Sequence, residues 1–216
     1  MNTPTHFLTV AALDKLLKKR LTIFHQPLLM GSIAPDVPLY FLCLGAWLYY
    51  HFVKGWELGR IFDYVFNDLF FNNPFWITLH NFPHSPLVLI ITIVSCWSFR
   101  EQIGTWQRWL FWFAWGCLLH TSLDIPTHVD DGPLLLFPLN WSLRFISPIS
   151  YWDPRYFGAE MVRIESGLAI SLTAYIFIPW GIWGWSAPRR TSFTPRRTTR
   201  WVAGTMTCPG DSWCRG

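Results

Sequence analysis

Residues 166–185, SGLAISLTAYIFIPWGIWGW, run for 20 positions without a charge. A helix of about 20 apolar residues matches the roughly 30 Å hydrocarbon core of a bilayer. Three shorter apolar segments precede it: 38–53 (PLYFLCLGAWLYYHFV), 86–98 (PLVLIITIVSCWS) and 109–119 (WLFWFAWGCLL). The pattern predicts an all-α fold, a polytopic membrane helical bundle with about four apolar segments, occupying residues 1–185. Charged residues make up only 14% of the 216-residue chain, against about 25% in a soluble domain. The 15 Trp and 18 Phe suit interfacial belts better than a soluble core. These features argue against a disordered chain, a nucleic-acid binder and a small disulfide scaffold. The expected partner is the lipid bilayer, with no nucleic acid.

The basic balance is local. Residues 186–216 hold six Arg (Arg189, Arg190, Arg196, Arg197, Arg200, Arg215) and one Asp, so the rest of the chain is close to neutral. This tail, rich in Arg, Thr and Pro, has little to bury and is expected to be disordered. The positive-inside rule places it in the cytoplasm of a multi-pass protein. With four spans, the basic end of a predicted helix over 6–20 and the 99–108 loop fall on the same side. Residues 54–79 carry Arg60, Asp63 and Asp68 among aromatics and read as an interfacial helix. Residues 125–163 contain five Pro and read as a long irregular region, too polar to cross lipid. Asp36 conflicts with a simple four-span path, because the other polar candidates lie at the opposite ends of their segments. Either 38–53 does not fully cross, or 21–37 re-enters, or Asp36 is outside the site.

Polar chemistry concentrates at the segment ends. His80 and His84 stand in LHNFPHSP, and His120 and Asp124 in LLHTSLDIP. Each pair has i, i+4 spacing, which sets both side chains on one helix face. Facing each other, the pairs offer three imidazoles and a carboxylate, a nitrogen/oxygen set suited to zinc or another divalent transition metal. Ionisable groups at membrane depth are costly unless paired or metal-bound. Asp36 and His6 are candidates for a second metal position. Pro83, between His80 and His84, disfavours a regular helix through both. Asp36 also reads as a turn or cap residue, His6 as an N-terminal cap or exposed residue, Asp130 and Asp131 as a turn, and His128 as a loop residue with a stray ligand role as its alternative. No GxSxG, P-loop, GxGxxG or CxxC is present.

Four elements in order carry a family resemblance. They are Thr5-His6, the Pro35-Asp36 core of Ala34-Pro35-Asp36-Val37-Pro38, His80-Asn81-Phe82-Pro83-His84-Ser85, and His120-Thr121-Ser122-Leu123-Asp124. The run IPTHVDDGPLLLFPLNWSLRF follows as a Pro-containing loop. Together they resemble the membrane-bound metal-dependent hydrolases of the YdjM/YbcI-like inner-membrane group, over roughly residues 5–185. A more distant likeness is to zinc-dependent phospholipase C. Pro38 stands where the family has a second acidic residue, and Asn81-Phe82 where it has Arg-Gly.

The resemblance implies a hydrolase of the cell inner membrane with a divalent metal, zinc first, acting on a phosphoester such as a phospholipid headgroup. His84, His120 and Asp124 are then the first-choice ligands, and His80 a fourth ligand or the catalytic base. Asp36 would bridge to a second ion or orient a ligand. Arg144 and Arg155 would steer an anionic headgroup or remain plain surface charges. Two other classes stand beside this one: a non-catalytic membrane protein with a structural metal or polar site, and a small transporter with an ion path.

Overall fold

A computed structural model describes residues 1–18 and 20–186, with side chains to residue 178. The Arg-rich tail lies outside the described residues. The described chain is helical, and its only β feature is an isolated antiparallel bridge between Leu134 and Arg144.

The helix α1 (Thr3–Leu17) starts with Pro4 in its first turn, where the missing N–H costs nothing. A short α2 (His25–Gly31) returns along a later helix, and α3 (Val37–Leu48) leads into a π-helical turn at Tyr49–Val53. The segment expected as one interfacial helix is divided. It comprises α4 (Leu58–Tyr64), a π turn at Val65–Leu69 and the single turn α5 (Phe70–Asn72). Asn73 then ends that path and caps α6 (Pro74–His84), accepting from the Phe75 and Trp76 amides at 3.0 and 3.3 Å. Ser85 separates α6 from α7 (Pro86–Cys96), and the two are bent by 47°. Thr105 caps α8 (Trp106–Asp124), and α9 (Gly158–Ser186) closes the described chain.

Pro83 does not stop α6 before His84, contrary to the sequence expectation. It sits in the last turn, where only one carbonyl, that of Leu79, loses its helical donor. The helix therefore carries both His80 and His84.

Two packings hold the site elements. Leu89, Ile93 and Cys96 of α7 are buried against Phe111, Ala114 and Cys117 of α8. On another face of α8, Gly116 meets Gly31 of α2. A Cβ on Gly31 would lie 2.2 Å from the Phe113 carbonyl oxygen, and one on Gly116 would lie 2.1 Å from that of Leu28. Only two glycines allow this backbone approach. Phe24, at the start of α2, lies under the Arg108 guanidinium near the start of α8, and Ser32 lies beside His120 near its end. The chain after α1 therefore runs back beside α8. This return removes the Asp36 conflict, because it brings Asp36 to the end of α8 that carries His120 and Asp124.

The 125–157 region roofs that end. Asn81 accepts from the Leu134 amide at 2.9 Å, and the Ser85 hydroxyl donates to the Phe137 carbonyl at 2.8 Å. Leu134 and Phe137 pack on Ile77.

One described helical stretch, Gly158–Ile178, is long and apolar enough to cross a membrane, and the bent pair Pro74–Phe99 makes a second if taken as one span. Val37–Val53 is apolar but shorter. The periphery is apolar: Phe41, Phe52, Val94, Ile91 and Phe177 are all largely exposed. An exposed apolar surface of this extent marks contact with lipid or a partner rather than with water.

Candidate metal centre

Three helices converge four side chains. Asp36 stands at the N-terminal end of α3, His84 at the C-terminal end of α6, and His120 and Asp124 in the last turns of α8. One ligand atom from each lies within 4.8 Å of the others. His120 Nε2 is 3.4 Å from Asp36 Oδ1 and 2.9 Å from Asp124 Oδ2, while His84 Nε2 is 3.6 and 4.0 Å from the same two oxygens. Donors about 2.1 Å from a tetrahedral ion lie about 3.4 Å apart, so these separations straddle the value a zinc site needs.

The imidazoles are set to present lone pairs. His84 Nδ1 donates to the His80 carbonyl at 2.7 Å, and His120 Nδ1 donates to the Ser32 carbonyl at 2.9 Å. A carbonyl only accepts, so each Nδ1 carries a proton and each Nε2 is free to bind a cation. His120 Nε2 is close to Asp124 Oδ2 but out of line for a hydrogen bond, and it has no hydrogen-bond partner although fully buried. A bare nitrogen lone pair facing carboxylate oxygens in a buried space is unfavourable, and either a proton on Nε2 or a metal ion between the groups relieves it. With Nε2 unprotonated, the two imidazoles and two carboxylates form a donor set that fits a metal.

Asp36 does sit in the turn before α3, at its N-cap position, but its side chain makes no capping bond and turns to the cluster. Burial alone would raise its pKa, but the facing imidazoles of His120 and His84 hold it well below the usual carboxylate range. The Thr3 hydroxyl donates to Asp36 Oδ2. That hydroxyl has one proton to give, so the Tyr40 phenol, 2.6 Å from Thr3 Oγ1, donates to it in turn.

The other expected residues surround the four. His6 is fully buried, its ring stacked 3.8 Å from that of His120, with Nε2 2.9 Å from Asp124 Oδ1. It meets Asp124 Oδ1, whereas His84 and His120 face Oδ2. Burial lowers the His6 pKa and outweighs the pull of Asp124. His80 lies outside the group of four, its ring 4.2 Å from that of His84 and 5.0 Å from that of Phe70, with Nδ1 buried and unpartnered.

Three contributors were not singled out by spacing: Thr3, the Ser32 carbonyl and His128. His128 Nε2 is 3.5 Å from Asp124 Oδ1, and its Nδ1 is 3.1 Å from Asp131 Oδ1. A signal existed, since His120, Asp124 and His128 repeat at i, i+4. Burial opposes charge on His128, but Asp124 and Asp131 raise its pKa overall. Asp131, read as a turn residue, also accepts from the Trp152 indole at 2.9 Å.

A family model described as YdjM inner membrane protein matches residues 1–204. The chain belongs to this family. Membership in the YdjM inner membrane protein family accounts for the exposed apolar periphery and associates the chain with a lipid bilayer. The match covers all four elements of the metal cluster and His6. No curated protein and no solved structure matches the chain.

The two arginines of the roof differ. Arg155 is 81% exposed and paired with Asp153 at 2.6 Å, so it is a surface charge in an ion pair. Arg144 is half-buried, donates to the Gly132 carbonyl and lies over the rings of Phe70 and Phe71. Among the described residues no carboxylate lies within ion-pair distance of it.

Proposed function

We propose that the protein is a membrane-bound metal-dependent hydrolase acting on a phosphoester such as a lipid headgroup. The observation that carries this reading is the convergence of Asp36, His84, His120 and Asp124 within 4.8 Å, with His120 Nε2 buried and unpartnered. These four would hold a divalent ion, zinc first. A bound ion would acidify a coordinated water and polarise the phosphoryl oxygen.

The remaining roles fall to the chain itself. His80, beside His84 with an unpartnered Nδ1, accepts the proton of the attacking water. His6, stacked on His120, fixes the Asp124 carboxylate from behind. The Arg144 guanidinium, which has no carboxylate partner among the described residues, receives the phosphoryl charge. Membership of an inner membrane family and the basic stretches support a multi-pass path with the C-terminal tail in the cytoplasm.

Four protein donors also suit a closed structural shell, so a non-catalytic metal site is the second reading. One experiment separates the two. Metal content is measured on detergent-purified protein beside His84→Ala and Asp124→Ala, with helicity followed by circular dichroism. The metal-replete wild type is then assayed on a phosphoester panel. About one ion per chain, lost in both variants, together with metal-dependent turnover supports the hydrolase. Bound metal without turnover on any phosphoester supports the structural site. A metal-free wild type overturns both.

A further inference from the structure

A groove of about 360 Å³ opens beside the cluster, lined by Asn2, Thr3 and Thr5, by Tyr40, and by Glu165 and Ala169 of α9. Of the four cluster side chains Asp36 is the most exposed, at 19%, against 3%, 0% and 6% for His84, His120 and Asp124. Access to the cluster is therefore from the Asp36 side. Thr3 lines the groove and bonds Asp36, so the groove abuts that side.

Glu165 is the unexplained group here. It is 5% exposed, one turn from the charged Glu160 and Arg163 at the start of the span. Oε1 accepts from the Asn2 amide at 2.6 Å, while Oε2 is buried with no hydrogen-bond partner. Arg163 is engaged with Glu160, and no described cation pairs with Glu165. A buried carboxylate oxygen without a donor is costly enough to need a partner. The groove's other polar groups are the Asn2 carboxamide and the hydroxyls of Thr3, Thr5, Tyr40 and Ser166, which add hydrogen bonds but no positive charge.

We infer that this groove takes an alkylammonium group, with Glu165 as its counter-ion, and so selects phosphoesters that carry an amine, such as an ethanolamine headgroup. This rests on the hydrolase reading for its consequence, because the ammonium would be seated next to the face from which the cluster is reached. Recognition by Glu165 itself does not require turnover. The position of Glu165 in the first turns of Gly158–Ile178 suits a headgroup at the membrane interface.

The test uses the full chain in detergent, equilibrated with equimolar phosphatidylethanolamine and phosphatidylglycerol. Co-purifying lipid is quantified by mass spectrometry and metal content is read on the same samples. Free phosphoethanolamine is added as competitor in a second arm. Wild type should enrich phosphatidylethanolamine, and Glu165→Gln should lower that enrichment about tenfold, the scale of one charge-assisted hydrogen bond. Metal content should stay unchanged. Ala169→Leu, which fills the groove and keeps the carboxylate, should also abolish enrichment and decides the matter if Glu165→Gln does not fold. Displacement by free phosphoethanolamine identifies a soluble ligand, and its absence a lipid one. Equal enrichment in wild type and both variants overturns the inference. Glu165-dependent enrichment in a metal-free protein would leave the groove standing and sink the hydrolase reading instead.

Discussion

Lys15 reaches from α1 to the carbonyl of Tyr175 in α9, with Nζ 2.7 Å from that oxygen and 2.9 Å from the carbonyl of Ile176. The choice of carbonyl follows from the sequence. Pro179 stands four residues after Tyr175 and has no N–H, so the Tyr175 carbonyl has no helical donor. In a span that faces lipid, such an oxygen needs a donor from elsewhere. Asn2 bonds Glu165 near the start of α9, so the two contacts set α1 and α9 side by side and parallel.

Lys15→Met should therefore destabilise the protein by about 1 kcal/mol, the scale of a partly exposed charged hydrogen bond. Restoring the N–H with Pro179→Ala should recover most of that loss in the double variant. Thermal unfolding of the four proteins of this cycle in detergent checks it. Equal effects of Lys15→Met with and without Pro179 would show that the lysine does not act through the Tyr175 carbonyl.

The crossing of α2 and α8 gives a sharper contrast. Gly31→Ala places a methyl 2.2 Å from a backbone carbonyl oxygen that cannot move without shifting α8. The loss should be about 3 kcal/mol or more, at the upper end of overpacking costs. Bound metal should fall with it, because Ser32 follows Gly31 and orients His120. Gly45→Ala meets nothing within 4 Å on α3 and should be neutral or stabilising by about 0.5–1 kcal/mol. Unfolding curves and metal content of the two variants are the measurement.

What the sequence made legible follows from which forces are local. The uncharged run 166–185 announced a long apolar helix but not its bounds: α9 starts at Gly158, and the stretch long and apolar enough to cross a membrane is Gly158–Ile178. The i, i+4 pairs announced His84, His120 and Asp124, because helical phase is a local property. Asp36 stayed ambiguous. Its place depends on the return of α2 along α8, and that depends on two glycines 85 residues apart meeting face to face. The π turns at Tyr49–Val53 and Val65–Leu69 gave no local signal either; in the first, Tyr50 stacks on Trp56 beyond the turn. Thr3 gave no signal, since a hydroxyl that orients a carboxylate looks like any surface threonine until α3 is placed beside it.

Thr3→Val tests that orienting role. It removes the donor to Asp36 Oδ2 while keeping side-chain volume and branching. Metal affinity should fall about 10- to 100-fold, the usual cost of losing an outer hydrogen bond to a ligand. At saturating metal the occupancy should return to the wild-type value, because the four ligand atoms remain. Chelator-competition titration reads both quantities. Unchanged affinity would mean that Tyr40 and Thr3 serve the groove and not the ion.

Arg144 and Arg155 provide the last comparison, since the sequence offered both for one role. Arg155 is 81% exposed and its charge is taken by Asp153. Arg144 has no carboxylate within ion-pair distance among the described residues and lies over Phe70, whose ring centroid is 5.0 Å from that of His80. On the proposed hydrolase reading, this guanidinium binds a phosphoryl group that approaches His80. Arg144→Gln should lower kcat/KM on a phosphoester about 100-fold, near 3 kcal/mol of transition-state stabilisation. Metal content should be unaffected, because Arg144 touches none of the four ligands. Arg155→Gln should leave kcat/KM within about twofold, as expected for an exposed pair. The assay is steady-state kinetics on a metal-replete wild type and both variants. A loss confined to Arg155→Gln would put the phosphoryl group on the outer face of the roof, away from His80.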